Sequence, residues 1–340
     1  MERVLVTGAG GFIGTTLVPL LIAEGYAVRA VDRFFFGDDL LSENAALERV
    51  REDARRIRPE HLEGVDHVLD LASISNDPTG ELFQDATWEI NWQARSRLGT
   101  MAKKAGIKRY VLPSSCSIYG FQSADHIADE TSATNPLTTY AKANEKAEID
   151  VLKLAGEDYC VTVLRQATVF GLSQRMRFDL AINGMTFGAW KSGRLPLMRD
   201  GKQWRPMIHV KDASRALMFM LSADADKING QIFNVGSTAN NYQIGPLGEK
   251  VAARVPREVE IEWYGDPDHR SYRVSFDKIA AIGYRTVMSV EDGVDEICQA
   301  LDEHRTDMTT ETITVQWYQE LEKWHKIICN VELNGGVLDI

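Results

Sequence analysis

Residues 8–14 read Gly8-Ala9-Gly10-Gly11-Phe12-Ile13-Gly14, directly after the apolar run Val4-Leu5-Val6 and ahead of a segment with helical periodicity. A strand, a glycine turn and a helix in that order can hold a dinucleotide. Gly8 permits the tight turn, and Gly11 lets the backbone approach a pyrophosphate. Gly14 allows close helix–strand packing and leaves helix N–H groups aimed at the phosphates. Asp32 stands at the end of the next expected strand, where a carboxylate can accept bonds from ribose hydroxyls. That carboxylate favours NAD, because it would repel the 2′-phosphate of NADP. Arg33 has two readings: a guanidinium for that phosphate, which keeps NADP possible, or a solvated surface arginine.

The elements that must carry these residues alternate along the first half of the chain. Strands are expected over 3–7, 27–31, 67–71, 109–113 and 160–164, and helices over 12–24, 85–105 and 139–154. Such alternation implies a parallel sheet with helices on both faces. The run Val161-Thr162-Val163-Leu164 suits a strand buried on both sides. After Gly171 the pattern is irregular, with a further strand expected over 232–235 and a helix over 243–254. The expected fold class is α/β: a Rossmann-type doubly wound parallel sheet with a smaller, interleaved C-terminal substrate lobe. The dinucleotide domain is expected to take residues 1–172 plus about 206–238, and the lobe with a C-terminal helix about 173–205 plus 239–340. In that last helix Trp317, Leu321, Trp324 and Ile328 fall at helical spacing, which reads as a face packed on the chain's own core.

Bulk properties narrow the class. The chain has 340 residues, 44% hydrophobic and 26% charged, with a formal net charge of −11. That balance argues against a general nucleic-acid or anionic-membrane surface. No apolar run has bilayer-spanning length, and the N-terminus lacks a signal-peptide pattern. Cys116, Cys160, Cys298 and Cys329 are scattered, without metal-ligand spacing. A cytoplasmic protein with no metal, no membrane and no nucleic-acid partner is the expectation.

Beyond the glycine turn come Glu52-Asp53-Ala54-Arg55, Leu71-Ala72-Ser73, Asn91, Ser114-Ser115-Cys116-Ser117-Ile118-Tyr119-Gly120, Tyr140 and Trp204-Arg205-Pro206-Met207-Ile208-His209-Val210-Lys211-Asp212, in that order. The series resembles the extended short-chain dehydrogenase/reductases that act on nucleotide sugars, and the likeness runs over most of the chain. It implies that Asp53 and Ala54 lie at the adenine, and that Leu71, Ala72 and Ser73 pass beneath the cofactor, backed by Asn91. Ser115 takes the position of the catalytic hydroxyl and Tyr140 that of the catalytic tyrosine. Arg205 takes that of the arginine contacting the nucleotide diphosphate, and His209 orients its strand. Ser117 and Thr168 fall on the sugar side; the family commonly has an asparagine at the Thr168 position. Arg175, Arg177 and Arg270 can extend a diphosphate clamp, since guanidinium pairs two phosphate oxygens, although a surface salt bridge is the alternative for each.

The resemblance implies an NAD-dependent epimerase or oxidoreductase that transiently oxidises a sugar hydroxyl to a ketone. Tyr140 would be the base, Ser115 would hold the sugar oxygen, and the chain would work as a homodimer on a nucleotide-diphosphate sugar. A 4-ketosugar reductase or dehydrogenase with net redox turnover is the alternative. Dehydration is disfavoured, because Cys116 and Ser117 come after the hydroxyl where an acid is expected. Cys116 reads as a core residue.

One departure stands out. The family places a lysine four residues after the tyrosine, where this chain has Asn144. Lys142 and Lys146 do not share the tyrosine's helix face. A unit charge about 5 Å away at an effective dielectric of about 20 is worth roughly 3 kcal/mol. That is about 2 pKa units on a phenol. Three readings stand: a natural variant with weaker base activation, an engineered substitution, or a weakly active or non-catalytic binding protein. Under the first two, Asn144→Lys is expected to raise the rate near neutral pH.

Overall fold

A computed structural model of the chain describes residues 1–123, 126–266 and 271–332. Seven strands form the central sheet: β1 (Arg3–Thr7), β2 (Ala27–Asp32), β3 (Leu47–Arg51), β4 (His67–Asp70), β5 (Arg109–Ser115), β6 (Cys160–Gln166) and β7 (Gln231–Val235). Their spatial order is β3-β2-β1-β4-β5-β6-β7 and every pairing is parallel. Winding reverses between β1 and β4, so a crevice opens there beyond the carboxyl ends of the strands.

Alternation along the strands fills two cores. Val4, Val6, Val28 and Ala30 pack on the helices Gly14–Ala23 and Val210–Ser222 through Leu17, Leu21, Ala213 and Leu217. Leu5, Val68, Val161 and Val163 point to the other face, against Leu98, Ala102, Ala147 and Val151 of the helices Arg95–Lys104 and Thr139–Leu152. Successive side chains on opposite faces, both covered, account for the near-continuous apolar strands.

A further core draws on interleaved later segments: Ile182, Met185, Leu195, Leu197, Leu247, Val251, Val290 and Val294. Beside it, Trp204–His209 pairs in parallel with Thr168–Phe170 and antiparallel with Asn241–Gln243. This small sheet brings Thr168 and Arg205 to the crevice. Among the described residues, no helix is long and apolar enough to cross a membrane.

Three features differ from the sequence expectation. β3 is an additional edge strand, half-exposed and charged (Leu-Glu-Arg-Val-Arg), so it lacks an apolar signature. The helix expected over 85–105 is interrupted by a π-helical turn, Glu89–Ala94, between Gln84–Trp88 and Arg95–Lys104. The last helix, Thr314–Val331, does not pack along its whole apolar stripe. Its first turns do: the Trp317 indole donates to the Phe35 carbonyl at 2.7 Å, and Tyr318 meets Phe35, Phe36 and Phe83. Trp324 is 62% exposed and Ile328 39%, because the stripe continues past the surface beneath it.

Candidate active site

One cavity of about 500 Å³ occupies the crevice. Gly8, Gly11, Phe12, Ile13, Gly14, Asp32, Arg33, Asp53, Ala54, Leu71, Ala72 and Ser73 line one part of it, and Ser115, Ser117, Tyr140, Asn144, Thr168, Arg177 and Arg205 another. Sequence-distant candidates therefore share one space. Arg270 lies outside the described residues. Asn91 does not line the cavity. It is buried behind the wall, where its side chain receives the Ile74 N–H at 2.8 Å and donates to the Ile74 carbonyl at 3.0 Å.

The glycine turn closes on itself through a bond from Gly11 N–H to the Gly8 carbonyl. Gly8 has φ +66°, and a Cβ there would meet the Ala72 nitrogen at 2.8 Å. At Gly14 a Cβ would stand 2.5 Å from the carbonyl oxygens of Gly8 and Ala9, so the helix can begin this close to the turn only with glycine. Gly14→Ala is accordingly expected to cost about 1–3 kcal/mol in strain. If that strain falls on the ligand-holding turn, NAD affinity drops roughly tenfold or more, as calorimetric titration would read.

Asp32 accepts from the N–H groups of Gly10 (3.0 Å) and Phe34 (2.7 Å), and burial pushes its carboxyl above the usual range despite those bonds. It thus fixes the turn while facing the cavity. Arg33 is half-exposed. It lies over the Phe35 ring and 3.3 Å from Asp53. Asp53 is also gripped by Arg55 at 2.8 Å, which lowers its carboxyl to about 2.

At the other end, Tyr140 occupies the first turn of the helix Thr139–Leu152, capped by Thr138, whose hydroxyl accepts from Ala141 N–H at 3.2 Å. The helix Asp77–Leu82 presses on it: a Cβ on Gly80 would sit 3.1 Å from the Tyr140 Cβ. Ser115, at the end of β5, lines the cavity beside the phenol. Burial raises the phenol above its ordinary value. Ser115 and the charges of Arg95 and Arg177 oppose that rise, and Asp77 adds to it. A helix N-terminus also favours negative charge at this position.

Asn144, one turn on, is buried; its amide donates to the Tyr140 backbone carbonyl at 3.0 Å and accepts from the Arg95 guanidinium at 2.8 Å. Lys142 and Lys146 are exposed and line no part of the cavity. Cys116 is buried off the cavity, donating to the Arg165 carbonyl, and burial pushes its thiol far up. Ser117 does line it.

The arginines divide. Arg177 is buried and pairs with Asp179 at 2.9 Å, and it donates to Ser75 at 3.1 Å. Arg205 lies over the Tyr272 ring and donates to the Trp204 carbonyl at 2.8 Å. Arg175 lies 3.8 Å over the Phe36 ring and bonds Thr314, and it retains a buried Nη1 without a hydrogen-bond partner. Ser114, Ser117 and Gln166 likewise carry unpartnered buried polar atoms at the cavity wall. A row of unsatisfied donors of this kind suits a polar, anionic ligand. His209 is fully buried; it caps the helix Val210–Ser222 and lies 3.3 Å from Glu296, a structural position. Sequence reasoning gave no role to Arg95, Gln166, Asp179 or Tyr318, all of which line the cavity. Among the described residues, no cluster of three His, Cys, Asp or Glu side chains could hold a metal ion.

A parallel sheet reversing at β1 and β4, with a glycine turn and a carboxylate at its edge, defines a dinucleotide-binding fold, and the chain belongs to the NAD dependent epimerase/dehydratase family, whose family model matches residues 4–236. NAD is its cofactor. Among similar proteins, a UDP-N-acetyl-alpha-D-glucosaminuronate decarboxylase of Bacillus cytotoxicus is 24% identical over 332 residues, covering 94% of this chain and 99% of that protein. The solved structure of MoeE5 in complex with UDP-glucuronic acid and NAD is 26% identical, with a TM-score of 0.79 over 89% of this chain and all of that one. A UDP-N-acetylglucosamine 4-epimerase from Methanobrevibacter ruminantium M1, in complex with UDP-N-acetylmuramic acid, shares the fold at 20% identity, with a TM-score of 0.80 over 89% of this chain and 99% of that one.

Proposed function

We propose that the chain is an NAD-dependent nucleotide-sugar epimerase or oxidoreductase that transiently oxidises a sugar hydroxyl to a ketone. The observation carrying this reading is that Ser115 and Tyr140 line the same cavity as the glycine turn and Asp32, with Ser115 placed to favour the ionised phenol. NAD supplies a hydride acceptor and donor there. Gly8, Gly11, Phe12, Ile13 and Gly14 would hold its pyrophosphate, Asp32 its adenosine ribose, and Asp53 and Ala54 the adenine edge. Leu71, Ala72 and Ser73 would run under it. The engagement of Arg33 with Asp53 supports NAD over NADP, since it leaves Asp32 facing the ribose position.

Tyr140 takes the hydroxyl proton as the hydride leaves the same carbon, and gives it back on the return. Ser115 donates to the sugar oxygen and fixes its distance from the phenol. Ser117, Thr168 and Arg205 receive the sugar and its diphosphate, with Arg177 locked to Asp179 as a wall. An epimerase built on these residues would leave no net change in the cofactor. Elimination chemistry finds no acid at positions 116 and 117, where Cys116 is buried with a thiol held protonated. UDP-sugars are the favoured substrate class, because the relatives named above act on or bind them.

The test is to identify by mass spectrometry what the denatured protein releases, then to incubate it with UDP-glucose, UDP-glucuronic acid and UDP-N-acetylglucosamine. The expected result is bound NAD and an epimeric product without net change in nicotinamide absorbance. Net NADH formation would make it a dehydrogenase instead. Binding without any product would make it a sensor.

A further inference from the structure

The cavity lacks the lysine that the family resemblance places at position 144, yet it does not lack a cation. Arg95 opens the helix Arg95–Lys104 directly after the π-helical turn Glu89–Ala94. A π turn adds a residue to the helix and rotates the side chains beyond it, and such turns concentrate at functional sites. Here it lets Asn91 grip the Ile74 backbone while Arg95, 3% exposed, reaches the cavity wall.

The guanidinium is held at three points. It donates to the Ala72 carbonyl at 3.0 Å and the Asp70 carbonyl at 3.2 Å, both at the carboxyl end of β4. Its Nη1 donates to Asn144 Oδ1 at 2.8 Å. Guanidinium can only donate, so it fixes which way the Asn144 amide faces and turns Nδ2 toward the Tyr140 carbonyl. All three acceptors are neutral, and Arg95 forms no ion pair among the described residues.

The other charges around Tyr140 are otherwise arranged. Arg177 faces the phenol from the segment after β6 but is neutralised by Asp179. Asp77, on the helix Asp77–Leu82, accepts from the Thr138 hydroxyl at 2.6 Å and opposes the phenolate. Glu81 of the same helix accepts from Thr139 N–H. Ser115 contributes a neutral donor from β5. Lys142 and Lys146, on the tyrosine's own helix, are exposed. The buried Asp70 carboxylate, on the strand end that Arg95 contacts, accepts from the Thr7 and Tyr110 hydroxyls, so Arg95 is a buried cation at this end with no direct ion pair among the described residues.

We propose that Arg95 is the electrostatic positioning residue of this site: from a neighbouring helix, and with Asn144 as its bridge to the tyrosine helix, it supplies the positive charge that favours the Tyr140 phenolate. The proposal rests on Tyr140 being the base. It assigns Asn144 a definite task, that of a neutral acceptor beside a cation already in place. A lysine at 144 in this setting would face the Arg95 guanidinium.

The experiment tracks the acidic limb of the kcat–pH profile with UDP-glucuronic acid as probe. It also tracks the tyrosinate absorbance of the NAD-bound protein without substrate, as the difference from Tyr140→Phe. Four proteins are compared: the unaltered chain, Tyr140→Phe, Arg95→Met, and Arg95→Met with Asn144→Lys. Removing one nearby opposite charge is expected to move both titrations up by about one pH unit or more in Arg95→Met. The double variant is expected to bring both back toward the original position, because it returns a cation on a different helix. If Arg95→Met does not fold, Arg95→Gln, which is neutral but keeps a donor for the Ala72 carbonyl, takes its place. Titrations unmoved in the folded Arg95 variant, or a loss of kcat that Asn144→Lys fails to restore, overturn the proposal. Full turnover by Tyr140→Phe would instead overturn the assignment of the base.

Discussion

Tyr140→Phe is expected to lower kcat by about 10²–10⁴-fold while leaving NAD bound and the fold intact. The substitution removes one oxygen and almost no volume from a ring set in the first turn of the helix Thr139–Leu152. The loss therefore reports proton transfer rather than packing. The companion expectation concerns pH. Only the deprotonated phenol can accept the sugar proton, and burial holds the group protonated above its ordinary value. The rate must then rise with pH as the phenolate becomes populated. The charges of Arg95 and Arg177 oppose the effect of burial and draw that rise downward. Turnover assays across pH, with circular dichroism as the folding control, measure both effects.

Glu148→Ala is expected to destabilise the protein by about 3–5 kcal/mol, read by urea unfolding, because it strands a buried guanidinium. Arg165 on β6 grips both carboxylate oxygens of Glu148, at 2.8 to 3.3 Å, and also donates to the Tyr119 hydroxyl at 3.0 Å. The two side chains are 6% and 2% exposed. Glu148 belongs to the same helix as Tyr140, and Tyr119 lies one short turn beyond Ser115, so the pair ties the Tyr140 helix to β6 and to the turn that follows Ser115. Replacing both partners at once, as in Glu148→Met with Arg165→Met, is expected to cost far less, since no charge is then left unpaired.

The glycine turn and Asp32 were readable because each depends on local chemistry: a strand end, a tight turn, a helix start. That Ser115 and Tyr140 share one cavity was legible only through the order of motifs, since they lie far apart in the chain and come together only in three dimensions. What periodicity could not show was anything set by a neighbour. β3 is a charged edge strand whose partner, β2, supplies its reason to exist. The π turn at Glu89–Ala94 leaves no mark in composition, yet it aims Arg95. For that reason the expectation that Asn144→Lys raises the rate is now reversed: with Arg95 present it brings two cations together and removes the acceptor that Arg95 uses. The stripe through Trp317 and Trp324 shows the opposite limit. Helical spacing identifies an apolar face, but not how much surface lies beneath it.

The most direct measurement of the central claim is the fate of a ring deuterium. UDP-glucuronic acid deuterated at every ring carbon is incubated with the protein carrying unlabelled NAD, and substrate, product and cofactor are analysed by mass spectrometry. The expected product is an epimer that retains the whole label, with cofactor returned as unlabelled NAD, because one hydride leaves and returns within a single site. Unchanged UDP-glucuronic acid with no label on the cofactor, from protein shown to bind both ligands, would contradict it.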